Sequence, residues 1–215
     1  MKKSYKLLIF DWDGTLIDSE ANIVDCMKAA MLDVNLPILS SDEIKNIIGL
    51  GLTEALITLF PEIDERTAVC LTDRYRYHFL TSEPSQAFEG VDETLVSLND
   101  AQYFMAVATG KGRKGLDKAL STSGFGSLFH VTRCADETRS KPHPQMLHEI
   151  LDFLGVEAEN ALMIGDTEYD IHMAKNAGMD SIAVTYGVHD RQRLKQCEPT
   201  ALLDSMGELI TWLND

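Results

Sequence analysis

The chain has 215 residues, 45% hydrophobic and 25% charged, a globular balance that suits one large domain or a domain with an inserted partner. Its 34 acids against 19 bases leave a formal net charge of −15, and that average field repels a phosphate backbone, so nucleic acid is not an expected partner. The four cysteines, Cys26, Cys70, Cys134 and Cys197, form no CxxC pair, which argues against a zinc site or a disulfide framework and for a reducing cytosol.

The opening "MKKSYKLLIF" has too few apolar residues for a secretion signal, and no later stretch approaches the roughly 18 apolar residues of a membrane span. Within it, "LLIF" (7–10) reads as a buried strand. Asp11 and Asp13 stand directly after it, followed by Gly14 and Thr15. Residues 18–82 then show no convincing strand. Their periodicity predicts helices over about 19–32, 41–48, 52–60 and 64–81, with breaks at Pro37, at Gly49-Leu50-Gly51 and at Pro61. "SEPSQAFEG" (82–90) reads as the return linker. The expected organisation is a core of residues 1–17 and 85–215, with an all-helical cap of residues 18–84 inserted after the first strand.

Beyond the linker the pattern alternates. Apolar runs at 103–109 ("YFMAVAT"), 161–165 ("ALMIG") and 181–187 ("SIAVTYG") predict strands buried on both faces. Helices are predicted over 113–124, ending at Gly124; over 144–154, ending at Gly155; over 168–177, ending at Gly178; and over about 205–213. This order predicts an α/β fold, a doubly wound parallel sheet with the helical cap above its mouth. "RYRYHF" (74–79) reads as a cap helix with one apolar face, and "GKGRKG" (110–115) as a basic helix start whose Arg113 or Lys114 would attract an anion. His143, His148, His172 and His189 show no ligand spacing.

In a parallel sheet all strand C-termini share one edge. Asp11 and Asp13, then Thr109 and Gly110, then Lys141 of "SKPHP", then Asp166 and Asp170 of "GDTEYD" therefore converge. Two like charges about 4 Å apart repel by about 4 kcal/mol at an effective dielectric near 20, so such a cluster needs a cation. Oxygen donors without His or Cys point to Mg²⁺. A carboxylate nucleophile facing a phosphate monoester then suggests a phosphatase. Asp11 would attack phosphorus and Asp13 would serve as acid and base. Thr109, Lys141 and the N–H groups of the following helix start would hold phosphoryl oxygens, with Gly14, Thr15 and Gly110 lining the phosphate.

"DWDGTL", "TG", the Lys of "SKPHP" and "GDTEYD" together resemble the four ordered motifs of the haloacid dehalogenase superfamily, and the helical insert resembles the small cap of its subfamily I. Phosphoglycolate phosphatase-like proteins are the nearest likeness. The resemblance implies Asp11 as nucleophile and metal ligand, Asp13 as acid/base with its carbonyl on Mg²⁺, and Asp166 as the third ligand. It places Asp170 nearby, directly or through water, and makes "IGLGL" (48–52) the loop that reaches over the substrate. The expected substrate is a small phosphorylated metabolite such as phosphoglycolate, a sugar phosphate, a nucleotide or pyrophosphate. A phosphomutase, a dehalogenase and a non-enzymatic phospho-switch are the rival readings; intact Asp13 and Asp166 argue against the second. Trp12 stands where Phe or Leu is more usual, and Gly110 replaces a frequent Asn.

Overall fold

The computed structural model describes residues 3–215; Met1 and Lys2, the start of the expected core segment, lie outside the described residues. Six parallel strands form one sheet in the order β3-β2-β1-β4-β5-β6. They are β1 (Leu7–Phe10), β2 (Phe104–Thr109), β3 (Val131–Cys134), β4 (Ala161–Gly165), β5 (Asp180–Val184) and β6 (Ala201–Leu203). The central strand pairs Leu7–Phe10 with Phe104–Val107 on one side and with Ala161–Ile164 on the other.

Why the strands carry continuous apolar runs is visible in their alternation. Leu8, Phe10, Met105, Val107, Leu162 and Ile164 point into one core, together with α5 (Val91–Asp100) and α10 (Glu208–Asn214). Leu7, Ile9, Ala106, Ala108, Ala161 and Met163 point into the other, against α7 (Gln145–Leu154) and α8 (Glu168–Asn176). Both faces are covered, as a parallel sheet requires.

Four helices intervene between β1 and α5: α1 (Glu20–Asp33), α2 (Ser41–Lys45), α3 (Leu52–Leu59) and α4 (Glu65–Thr81). They pack around their own cluster of Val24, Met27, Ala30, Met31, Ile44, Leu56 and Leu71. Ser40 starts α2 with a capping box to Glu43, and Asp64 caps α4 through the Thr67 N–H. The chain leaves and re-enters the sheet side by side: Ile17 bridges Ala87 in antiparallel fashion, Asp18 N–H donates to Gln86 O, and Phe88 N–H donates to Leu16 O.

The sequence reading omitted α5, β3, α9 (Arg191–Gln196) and β6. Both missed strands are sheet edges of three or four residues, and only one residue of each is buried. Helix α6 (Arg113–Ser123) ends at Gly124 and α7 at Gly155, both with left-handed backbone (φ 77° and 63°), as expected of C-terminal glycines. Strand β5 stops at Val184, three residues earlier than expected, and the freed segment turns toward the sheet mouth.

Candidate active site

Asp11 follows the last residue of β1, and its N–H donates to Ile164 O at 2.9 Å, which fixes it at the sheet mouth. Asp166 follows β4. One of its oxygens accepts from Thr15 Oγ1 and the other from the Val188 N–H, each at 2.8 Å. Asp170, in the first turn of α8, accepts from Lys141 Nζ at 2.6 Å and, on its other oxygen, from the N–H and hydroxyl of Thr167. Oxygens of Asp11, Asp166 and Asp170 lie within 4.8 Å of one another, and all three residues are buried.

Lys141 Nζ lies 2.8 Å from Asp11 Oδ1, an ion pair set off the hydrogen-bonding direction; neither oxygen of Asp11 has a hydrogen-bond partner. One ammonium therefore faces three carboxylates. Burial above all, then the neighbouring carboxylates, push Asp11 well above the usual carboxylate range against the opposing pull of Lys141. Burial and then Asp170 push Asp166 up to about 7. Burial pulls the Lys141 ammonium down, yet its pairs with Asp11 and Asp170 hold it above its ordinary value. The cluster is short of positive charge, its ligand atoms are all oxygen, and two of those oxygens are buried without a hydrogen bond. A hard divalent cation fits that set.

Backbone shape makes the cluster possible. Gly14 has φ 78°, and a Cβ there would stand 2.2 Å from Asp166 Oδ2. Gly187 has the same constraint: its Cβ would meet Asp166 at 2.3 Å and Gly14 O at 2.4 Å. The loop after β5, with the Val188 N–H and with the Tyr186 hydroxyl donating to Thr15 O, thus buttresses the site. Sequence reasoning missed it because those residues looked like the end of a strand.

The Asp13 carboxylate stands apart from the cluster. It accepts from Ser19 Oγ at 2.5 Å and lies 2.8 Å from Lys111 Nζ. Thr109, fully buried at the end of β2, accepts from the Lys111 N–H at 3.2 Å, which leaves its own O–H free to donate. Lys111 was read as part of a basic helix start. Its signal was positional, two residues beyond Thr109 in a loop at the strand edge. Arg113 is instead committed to Glu137, Asp117 and Thr132, and Lys114 is exposed. Trp12 points away into the core, edge-on to Phe125 and Phe129.

The loop 46–51 sits on this edge. Gly51 N–H donates to Ser140 Oγ at 2.7 Å, and Asn46 O accepts from the Tyr169 hydroxyl at 2.7 Å. A Cβ on Gly110 would lie 2.5 Å from Leu50 O and 2.7 Å from Gly49 O. The glycine at 110 is what lets the loop close. Between this loop, α1, α4 and the start of α6 lies a cavity of about 620 Å³ that reaches Asp13 and is lined by Met27, Leu50, Tyr75, Phe79 and Lys111. The aromatic run 74–79 therefore serves the cavity as well as the helix face: Phe79 stacks on Tyr75 and carries Lys111 over its ring.

Residues 8–184 match the profile of the haloacid dehalogenase-like hydrolases. "Probable phosphatase IndB" of Dickeya dadantii (strain 3937) is 36% identical over 95% of this chain and 91% of its own length. "Pyrophosphatase PpaX" of Bacillus cereus (strain AH820) is 30% identical over 97% and 96%. The crystal structure described as a predicted phosphoglycolate phosphatase from Haemophilus somnus superposes with a TM-score of 0.89, at 26% identity and 99% coverage of each chain.

Proposed function

The chain belongs to the haloacid dehalogenase-like hydrolase family and is a phosphatase of that family, and we propose that it hydrolyses a small phosphate monoester or anhydride with Mg²⁺ and a phosphorylated Asp11. The single observation that carries the mechanism is Asp11 itself: a buried carboxylate at the strand edge, both oxygens without hydrogen bonds, beside the Lys141 ammonium. A buried carboxylate whose oxygens have no hydrogen bond is a poor structural element and a competent nucleophile.

In this reading an oxygen of Asp11 attacks phosphorus as the bond to the leaving oxygen breaks. Asp13 gives its proton to that oxygen. Asp13 then takes a proton from water as the water attacks the phosphoryl group and releases Asp11. Lys141 and the Thr109 hydroxyl hold the phosphoryl oxygens. Asp11, Asp166 and the main-chain carbonyl of Asp13 would hold Mg²⁺, with Asp170 beside them. When bound, Mg²⁺ supplies the positive charge the cluster lacks and stabilises phosphoryl charge in the transition state. The place of the Asp13 carboxyl supports this division of labour, because it lies outside the cluster of Asp11, Asp166 and Asp170 and borders the cavity under the cap.

The test is turnover of an aryl phosphate. Asp11→Asn should lower kcat by about 10³-fold or more while the circular dichroism melt persists. EDTA should silence the native protein and Mg²⁺ restore it. Near-native phosphate release by the Asn variant would remove Asp11 as nucleophile. Release of phosphate without any sugar acceptor separates this function from a phosphomutase.

A further inference from the structure

The space above Asp13 is divided in two. The cavity of about 620 Å³ lies on one side, and a smaller one of about 240 Å³, against the return linker, lies on the other. Asp13, Phe79 and Lys111 border both. The Lys111 side chain is only 8% exposed. Its ammonium lies 2.8 Å from Asp13 Oδ1 and 4.1 Å from the centre of the Phe79 ring. Among the described residues Asp13 is the one polar partner of the ammonium, and the Asp13 oxygen it pairs with also accepts from Ser19. One carboxylate oxygen cannot take up three N–H groups, and the space the others border is the cavity.

We propose that Lys111 recognises a second anionic group on the substrate, a carboxylate or a phosphate carried next to the scissile phosphoryl group. This rests on the phosphatase reading and names its substrate class. Lys141 sits against Asp11, on the phosphoryl side, whereas Lys111 sits against Asp13, which serves the leaving oxygen. An anion bound by Lys111 would thus lie on the leaving-group side of the phosphoryl centre. The other cations bordering the larger cavity do not compete for the role: Arg113 is spent on Glu137, Asp117 and Thr132, while Arg76 and Lys114 are exposed to water and bind anions weakly. Phe79 beneath the ammonium restricts where it points.

The experiment compares kcat/KM of the full chain with Mg²⁺ for phosphoglycolate, pyrophosphate and ethyl phosphate, in the native protein and in Lys111→Met and Lys111→Arg. The native protein should prefer one of the two anion-bearing substrates over ethyl phosphate by about tenfold or more, and which one it prefers tells carboxylate from phosphate. Lys111→Met should remove most of that preference, a loss of about tenfold, chiefly through KM, and Lys111→Arg should keep most of it. Calorimetric binding of phosphonoacetate against methylphosphonate gives the same comparison without turnover, and the gap between them should close in Lys111→Met. An equal loss for all substrates in Lys111→Met, or a native protein indifferent to the second anion, overturns the inference while leaving the phosphatase in place. No phosphate release from any of the three, or from an aryl phosphate, overturns both.

Discussion

At the scale of single residues, the site depends on close approach rather than on bulk. Gly14 bends the chain with φ 78° so that Asp13 and Thr15 can serve different partners within three residues. Gly14→Ala would strain the turn and drive its Cβ into Asp166 Oδ2. The expected result is loss of Mg²⁺-induced stabilisation in a thermal melt and a fall in turnover of about 10²-fold or more; an Ala variant with native response to Mg²⁺ would show that the turn is not needed. Trp12 teaches the complementary point. It lies between two aspartates central to the site, yet its ring belongs to the core, because adjacent residues on an extended segment face opposite ways.

At the scale of elements, closure is a contact between backbones. The loop 46–51 meets the sheet edge through the Gly51 N–H, the Asn46 carbonyl and the bare Cα of Gly110. Gly110→Ala should push Leu50 O away and loosen the loop. The measurable outcome is a rise in KM of about tenfold with a smaller change in kcat, since substrate retention suffers before chemistry does; an unchanged KM would mean the loop does not close over substrate. The strands that carry Asp11, Thr109 and Asp166 were legible because burial on both faces forces uninterrupted apolar runs. β3 and β6 were not, because an edge strand of three or four residues shows neither run nor alternation. Asp11, Lys141, Asp166 and Asp170 could be foreseen together because strand order places all strand ends on one edge. Lys111 could not, because its role depends on the turn after β2 folding back over Asp13.

At the scale of the whole molecule, the buried carboxylates couple metal, pH and stability. Asp166 is raised to about 7, and Asp11 well above its ordinary value, chiefly by burial. A carboxyl raised in the folded state stabilises it at low pH, and that stabilisation is lost as pH climbs through the folded value. For Asp166 the window runs from about 4 to about 7. Mg²⁺ bound by this cluster would compete with those protons, so its effect on the melting temperature should be small at pH 5.5 and reach several degrees by about pH 8. A shift independent of pH, or one that persists in Asp166→Ala, would place the ion elsewhere. The most direct measurement of the central claim is chemical: quench the protein in acid during turnover of a phosphorylated substrate, digest it, and locate the phosphoryl group by mass spectrometry. One phosphoryl group is expected on the peptide containing Asp11, lost on mild base and absent in Asp11→Asn. A phosphoryl group on any other residue, or rapid turnover with none trapped on Asp11, would contradict it.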